Sequence, residues 1–430
     1  VATDSTTEIE AVYRVEFPRV VAVLAAFTGD IALAEELVQD ALLDALRQWP
    51  REGAPQNPGA WLTTVGKRKA IDAFRRDRAL AVKYAQIGRE LQVHSVVDGD
   101  DPALRAVSSE EIDDDRLRLI FVACHPVLAV PARVALTLRL VGGLTVPEIA
   151  RAYVVPEATI AQRIVRAKKS ISRAAVSFVV PEGEDRLSRL GGVLEVIYLV
   201  FNEGYLATAG EDWVRPELCG EALRLGRVLA ALMPDEPEVH GLVALMEFQA
   251  SRLRARTDLT GAPVLLLDQD RRMWDRLHIG RGEAALARAD ELATPRGPHT
   301  LQAAIAACHA RSFRPEETDW DEIVALYTAL ARATPSPIVE LNRAVAVSLA
   351  SGPAEALTLV DVLVGTGTLD RYHLLYSVRG DLLDRLGRHG EAASEFERAA
   401  ALATNGQERT LLSERARASR GASAVDSGAK

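Results

Sequence analysis

The chain has 430 residues with 51 Lys and Arg against 60 Asp and Glu, a formal net charge of −9 that on its face disfavours a nucleic-acid partner. A single core rarely grows past about 250 residues, so two to four domains are expected. The 48% of hydrophobic residues include no run of about 18 uncharged ones of the kind a bilayer span needs, and the opening VATDSTTEIE lacks a basic start followed by an apolar stretch, so a cytoplasmic location without a membrane partner is expected.

Apolar residues recur at helical steps throughout and strand-like alternation is scarce, which predicts an all-α fold. A first small module is expected over residues 8–78. In it LAEELVQDALLDAL, Leu33 to Leu46, makes an amphipathic helix with Leu33, Leu37, Ala41 and Ala45 inward. Glu36, Gln39, Asp40 and Asp44 face outward. A Pro/Gly-rich loop is expected from Pro50 to Gly59. WLTTVGKRKAIDAFRRDR, Trp61 to Arg78, then forms a helix with Leu62, Val65 and Phe74 on its core side. It carries six basic residues, Lys67, Arg68, Lys69, Arg75, Arg76 and Arg78, against Asp72 and Asp77, so a basic island stands in an acidic chain.

Periodicity weakens over residues 79–112, which read as an acidic linker. Between Asp98 and Asp115 eight carboxylates face only Arg105, and the last of them suit the first turn of a helix, at the positive end of its dipole. The second module is expected over residues 113–176. Thr145, Pro147 and Glu148 give a capping box with proline in the first turn, and that helix carries Ile149, Ala150 and Tyr153 inward. Val154, Val155 and Pro156 interrupt it. A second helix opens at Glu157 and places Ile160, Ile164, Ala167 and Ile171 on one stripe. Thr159, Gln162, Arg163, Arg166 and Lys169 lie opposite, short polar groups and cations able to reach phosphates and base edges in a major groove. Helix, short turn, helix is DNA-reading geometry.

Taken together, the acidic-faced helix, the Trp-Leu start at Trp61 and Leu62 with Asp72, Arg75 and Arg76 behind it, and the helix-turn-helix resemble the extracytoplasmic-function sigma factors, the minimal sigma-70 class with regions two and four only. The resemblance covers roughly residues 10 to 176. It implies a partner in core RNA polymerase, through the clamp coiled coil for Glu36, Gln39, Asp40 and Asp44, and through the flap. It implies promoter DNA as the other partner: the −10 strand for Trp61, Lys67, Arg68, Asp72, Arg75 and Arg76, and the −35 element for Thr159, Gln162, Arg163, Arg166 and Lys169. The loop from Pro50 is similar in position to the one that captures a flipped base, and the linker to one that threads the RNA channel. Two departures stand out: Arg68 occupies a position where the family usually has Asn, and Ala161 one where Lys is common.

The remainder, residues 187–414, is a succession of Ala- and Leu-rich helices, and the polar tail 415–430 is expected to be disordered. In GDLLDRLGRHGEAASEFERAAALATN, Gly380, Gly387, Ala392, Phe396 and Ala399 fall at the steps of a tetratricopeptide unit, with a degenerate copy through Asn342, Ala344, Gly352 and Ala356. Stacked hairpins of this kind offer a concave surface to a protein partner. Leu194 to Gly210 and Leu265 to Arg276 look like the extension found in one subgroup of these sigma factors, where it takes over regulation. Asn202, Glu203, Tyr205, Asp268 and Asp270 place polar groups amid apolar runs; satisfied residues that fix helix contacts are the expected reading.

No GxGxxG, P-loop, HExxH or GxSxG occurs, and Cys124, Cys219 and Cys308 form no CxxC, so no enzyme, cofactor or metal site is expected. Cys124 and His125, adjacent on a helix, point about 100° apart. The main rival reading is a helix-turn-helix regulator with a tetratricopeptide sensor domain that carries no polymerase. The helix pair Leu33 to Leu46 and Trp61 to Arg76 argues against it, because a simple repressor needs no clamp-binding helix.

Overall fold

Every regular element among the described residues is helical, as the periodicity predicted. The computed structural model describes residues 16–88, 109–153, 155–205, 214–258, 264–403 and 406–428. They divide into two compact units, one drawn from residues 1–151 and 155–196, the other from 152–154 and 197–430. No described helix is long and apolar enough to cross a membrane.

In the first unit, α1 spans residues 16–28, α2 Ile31–Glu52 and α3 Pro58–Gly88. Asp30 starts α2, its carboxylate accepting from the amides of Ala32 at 2.7 Å and Leu33 at 3.2 Å. Ile31, Ala34, Leu37, Val38, Ala41 and Ala45 form its buried stripe, while Leu33 is only half-buried. The loop expected from Pro50 is shorter. Pro50 sits in the last turn, where it forfeits one amide donor, and α2 continues until Gly53, at φ 84°, ends it. Asn57 then caps α3, accepting from the Ala60 amide at 3.0 Å, with Pro58 in the first position. Gly66 lets α3 lie against α1, since a Cβ there would meet Leu24 at 2.5 Å. α3 runs to Gly88, ten residues beyond the expected end of the module. Most of the acidic linker, including Asp98, Asp100 and Asp101, lies outside the described residues.

The chain resumes with α4 (Ser109–Ala123), α5 (Val130–Leu140), α6 (Val146–Ala152) and α7 (Glu157–Arg173). The capping box is present: Glu148 accepts from the amide and hydroxyl of Thr145 at 2.7 and 2.8 Å. α8 (Gly183–Tyr205) follows the break at Pro181. Its first half belongs to this unit, with Leu190, Val193, Leu194 and Val196 buried and Arg189 donating to the Phe121 carbonyl at 3.2 Å.

The second unit continues with α9 (Pro216–Leu232), α10 (Pro237–Ala250), α11 (Arg276–Leu292) and α12 (Pro298–Arg311), then α13 (Trp320–Ala333), α14 (Pro337–Ala350) and α15 (Pro353–Thr366). It closes with α16 (His373–Arg385), α17 (His389–Leu402) and α18 (Gly406–Gly428). From α12 onward each helix packs on the next. Both expected hairpins are there. Gly380 faces the Phe396 ring at a distance that admits no Cβ, and Ala392, Phe396 and Ala399 are fully buried. Gly387 turns the chain at φ 76°, and Gly352 does so at φ 106° between α14 and α15. The tail expected to be disordered is instead largely helical. α18 packs on α17 and buries Leu412, Ala416 and Ser419, so its few apolar residues find a stripe that composition alone hides.

Candidate nucleic-acid and polymerase interface

On α7, Ile160, Ile164, Ala167 and Ile171 are between 1% and 6% exposed, so the expected stripe is the core side of the helix. Gln162, Arg166 and Lys169 are exposed on the other side, and Thr159 and Arg163 are half-buried beside them. These five residues recur at i, i+3, i+4, i+7 and i+10, one face of a helix. Three of them are cations whose heads are within reach of solvent, the composition that phosphate contacts require. Lys168, the cation next to Lys169, points elsewhere.

On α2, Glu36, Gln39 and Asp40 are exposed, with Leu43 and Leu46 half-exposed alongside. Asp44 differs from the other three. It is half-buried and pairs with Lys69 of α3 at 2.8 Å, tying the two helices together. Lys69 is thereby occupied within the module. On α3, Arg68, Asp72, Arg75 and Arg76 are exposed, Arg76 donating to the Asp72 carbonyl at 3.2 Å. Lys67 is half-buried over the Phe27 ring, 5.6 Å from its centroid. Trp61 is half-buried edge-on to the buried Trp49 at 5.4 Å, and Phe74 packs near Phe27 at 6.5 Å, so both aromatic residues of α3 belong in part to the module's core.

The pairing that joins the two modules has no local signature in the sequence. Glu35 of α2 is 4% exposed and holds two cations from the second module, Arg139 of α5 at 2.7 Å and Lys168 of α7. Arg139 also lies over the Phe17 ring and donates to the Leu144 carbonyl. Burial alone would raise the Glu35 carboxyl; the charges of Lys168 and Arg139 and their hydrogen bonds outweigh it and hold it below the usual range. A clue was available, since Glu35 falls on the same stripe as Ile31, Val38 and Leu42 and a carboxylate there needs a partner. Its partners lie more than a hundred residues away, which no local pattern displays.

The polar groups amid apolar runs are largely anchored. Glu203 pairs with Arg215, Tyr205 accepts from Arg252 and stacks under Arg256, and Asp270 caps the turn at Arg272. Arg271 donates to the carbonyls of His309 and Ser312 and to the Thr318 hydroxyl, each at 3.0 Å. Cys124, Cys219 and Cys308 are buried free thiols. Cys124 contacts the Thr137 hydroxyl at 3.3 Å, and burial pushes its thiol up to about 11, an inert packing residue.

Residues 12–79 match Sigma-70 region 2 and residues 118–171 match Sigma-70, region 4, over the two modules just described. The chain belongs to the sigma-70 family. Residues 189–290 match a family of unknown function (DUF6596). An uncharacterized protein of Rhizobium meliloti (strain 1021) is 46% identical over 396 residues, 92% of each chain. As a sigma factor the protein binds core RNA polymerase and promoter DNA and directs transcription initiation; the sigma-70 family is not one of enzymes. The rival regulator that carries no polymerase is set aside by region 2, which such a protein lacks.

Proposed function

We propose that this sigma factor is of the extracytoplasmic-function type, acts in the cytoplasm and serves a narrow promoter set. The observation that carries the reading is the division of charge between α2 and α3. An exposed, acidic face, Glu36, Gln39 and Asp40 with Leu43, stands one helix away from the exposed cations Arg68, Arg75 and Arg76. A basic coiled coil on the polymerase clamp is complementary to the first and a separated −10 strand to the second. Asp44 and Lys69, paired with each other, fix the spacing between these faces. With Trp61 and Phe74 partly committed to packing, strand stacking is weak and a well-matched promoter is demanded.

The recognition helix α7 reads the −35 element, with Arg163 and Arg166 toward bases and Gln162, Thr159 and Lys169 completing the contact. Lys168, held by Glu35, positions α7 rather than touching DNA. The tetratricopeptide-like hairpins from α14 to α17 serve regulation, receiving a protein partner on the helical C-terminal unit. Run-off transcription from fragmented genomic DNA with purified core polymerase tests the reading. Discrete start sites are expected with the wild type and loss of nearly all of them with the Arg163→Ala, Arg166→Ala double variant. Unchanged start sites in that variant would refute the placement of the recognition helix.

A further inference from the structure

α7 carries an exposed apolar residue that neither the core nor the phosphate and base contacts named so far employ. Its core stripe, Ile160, Ile164, Ala167 and Ile171, is complete without Val165, which is 49% exposed. A β-branched residue weakens a helix where packing does not compensate, so a lysine, glutamine or glutamate would suit a merely solvated position better. One exposed valine is ordinary on a protein surface, and its neighbours decide what it can do.

Helical geometry places those neighbours. With Gln162 as the middle of the outward face, Arg166 lies about 40° to one side, while Lys169 and Val165 lie about 20° and about 60° to the other. The exposed Ala158 falls on the Val165 side, and the half-buried Ala161 is one turn from Val165. The outward face is thus divided lengthwise. Thr159, Gln162, Arg163 and Arg166 make a polar edge, and Ala158, Ala161 and Val165 make an apolar edge of small side chains that lets a surface approach closely. Beyond Glu157 in the first turn the helix has no acid, and Arg163, Arg166, Lys169 and Arg173 supply cations along it. A polyanion is the partner this charge selects, so the surface that meets Val165 is DNA.

Major-groove chemistry then says which part of the DNA. Arginine reads the acceptors of guanine and glutamine the donor and acceptor of adenine, while thymine presents an apolar group, its C5 methyl. Arg166 and Gln162 hold the first two chemistries, and Val165 beside them holds the third. We propose that Val165 is a specificity-determining residue that packs on the C5 methyl of a thymine in the −35 element, with Ala158 and Ala161 keeping that edge of the helix open to the base. The inference rests on α7 being the recognition helix.

The test uses holoenzyme assembled from the full-length chain and core polymerase, on a promoter found by run-off transcription. Each thymine of its −35 element, on either strand, is replaced in turn by deoxyuridine, which pairs as thymine does and lacks only the methyl. Competition binding is read as the ratio of affinities for the thymine and uridine DNAs. The wild type is expected to lose roughly three-fold or more at one position, the order that burial of a methyl provides. The Val165→Ser holoenzyme should bind the two DNAs equally. This variant leaves the core stripe intact, and a ratio cancels any loss of active protein. Arg166→Ala should bind more weakly overall and keep the uridine penalty. A wild type indifferent to uridine at every position, or a Val165→Ser ratio as large as that of the wild type, overturns the proposal. Unchanged start sites in the Arg163→Ala, Arg166→Ala double variant would remove the recognition-helix reading and the proposal with it; start sites lost in that variant, with uridine silent in the wild type, would remove the role of Val165 alone.

Discussion

Glu35 shows how one side chain joins modules that sequence reading treats as separate. Replacing it by Gln leaves Arg139 and Lys168 in partly buried positions without their shared counter-charge, a change that typically costs about 3 kcal/mol or more. Urea unfolding at pH 7 should show that loss in the first unit. The sign with pH follows from the lowered carboxyl: the Glu35 contribution is complete above the ordinary value of 4.5 and disappears as pH falls through the lower folded value. Wild type and Glu35→Gln should therefore converge in stability at acid pH, and a difference that persists undiminished below pH 3 would contradict the assignment. Glu238 behaves in the same sense, its carboxylate accepting from the amides of His299 and Thr300 at the start of α12.

At the scale of elements, what was legible was local. The capping box at Thr145 and Glu148, the stripe on α7 and the pairing of Gly380 with Phe396 rest on residues that lie close together in the chain, none of them separated by more than 16 positions, and each is found as expected. The extent of α3, the course of α2 past Pro50 and the helicity of α18 were not legible, because tertiary packing and a single glycine dihedral decide them. Two tests belong here. Arg163→Ala and Arg166→Ala should each cost about 1–3 kcal/mol in binding a −35 duplex where the arginine meets a base, while Lys169→Ala should lower the salt slope by about one without changing sequence preference. Phe396→Ala should cost about 3–5 kcal/mol in the second unit by opening a cavity against Gly380 and should leave DNA binding by the first unit unaltered.

The whole molecule divides along α8 and not at the Pro181 break that composition suggests. Residues up to Val196 pack with the DNA-side helices, and Glu203 and Tyr205 with the second unit. A truncation after residue 180 would strip Leu190, Val193 and Leu194 from the first core, so the informative cut lies after Val196. That shortened chain is expected to retain polymerase binding and to differ from the full chain in transcription; equal run-off yields would remove the regulatory role. The candidate site was legible as two charged faces because binding surfaces are exposed and patterned. The joint at Glu35 was not, since residues 35, 139 and 168 meet only in the fold. The central claim, that an acidic face on α2 and a cationic face on α3 join polymerase to promoter, is tested most directly by gel filtration with purified core polymerase at low salt. Co-elution of the wild type, lost on reversing Glu36 and Asp40 to Lys, is the predicted result. A wild type that elutes alone, or a reversed variant that still co-elutes, would contradict it.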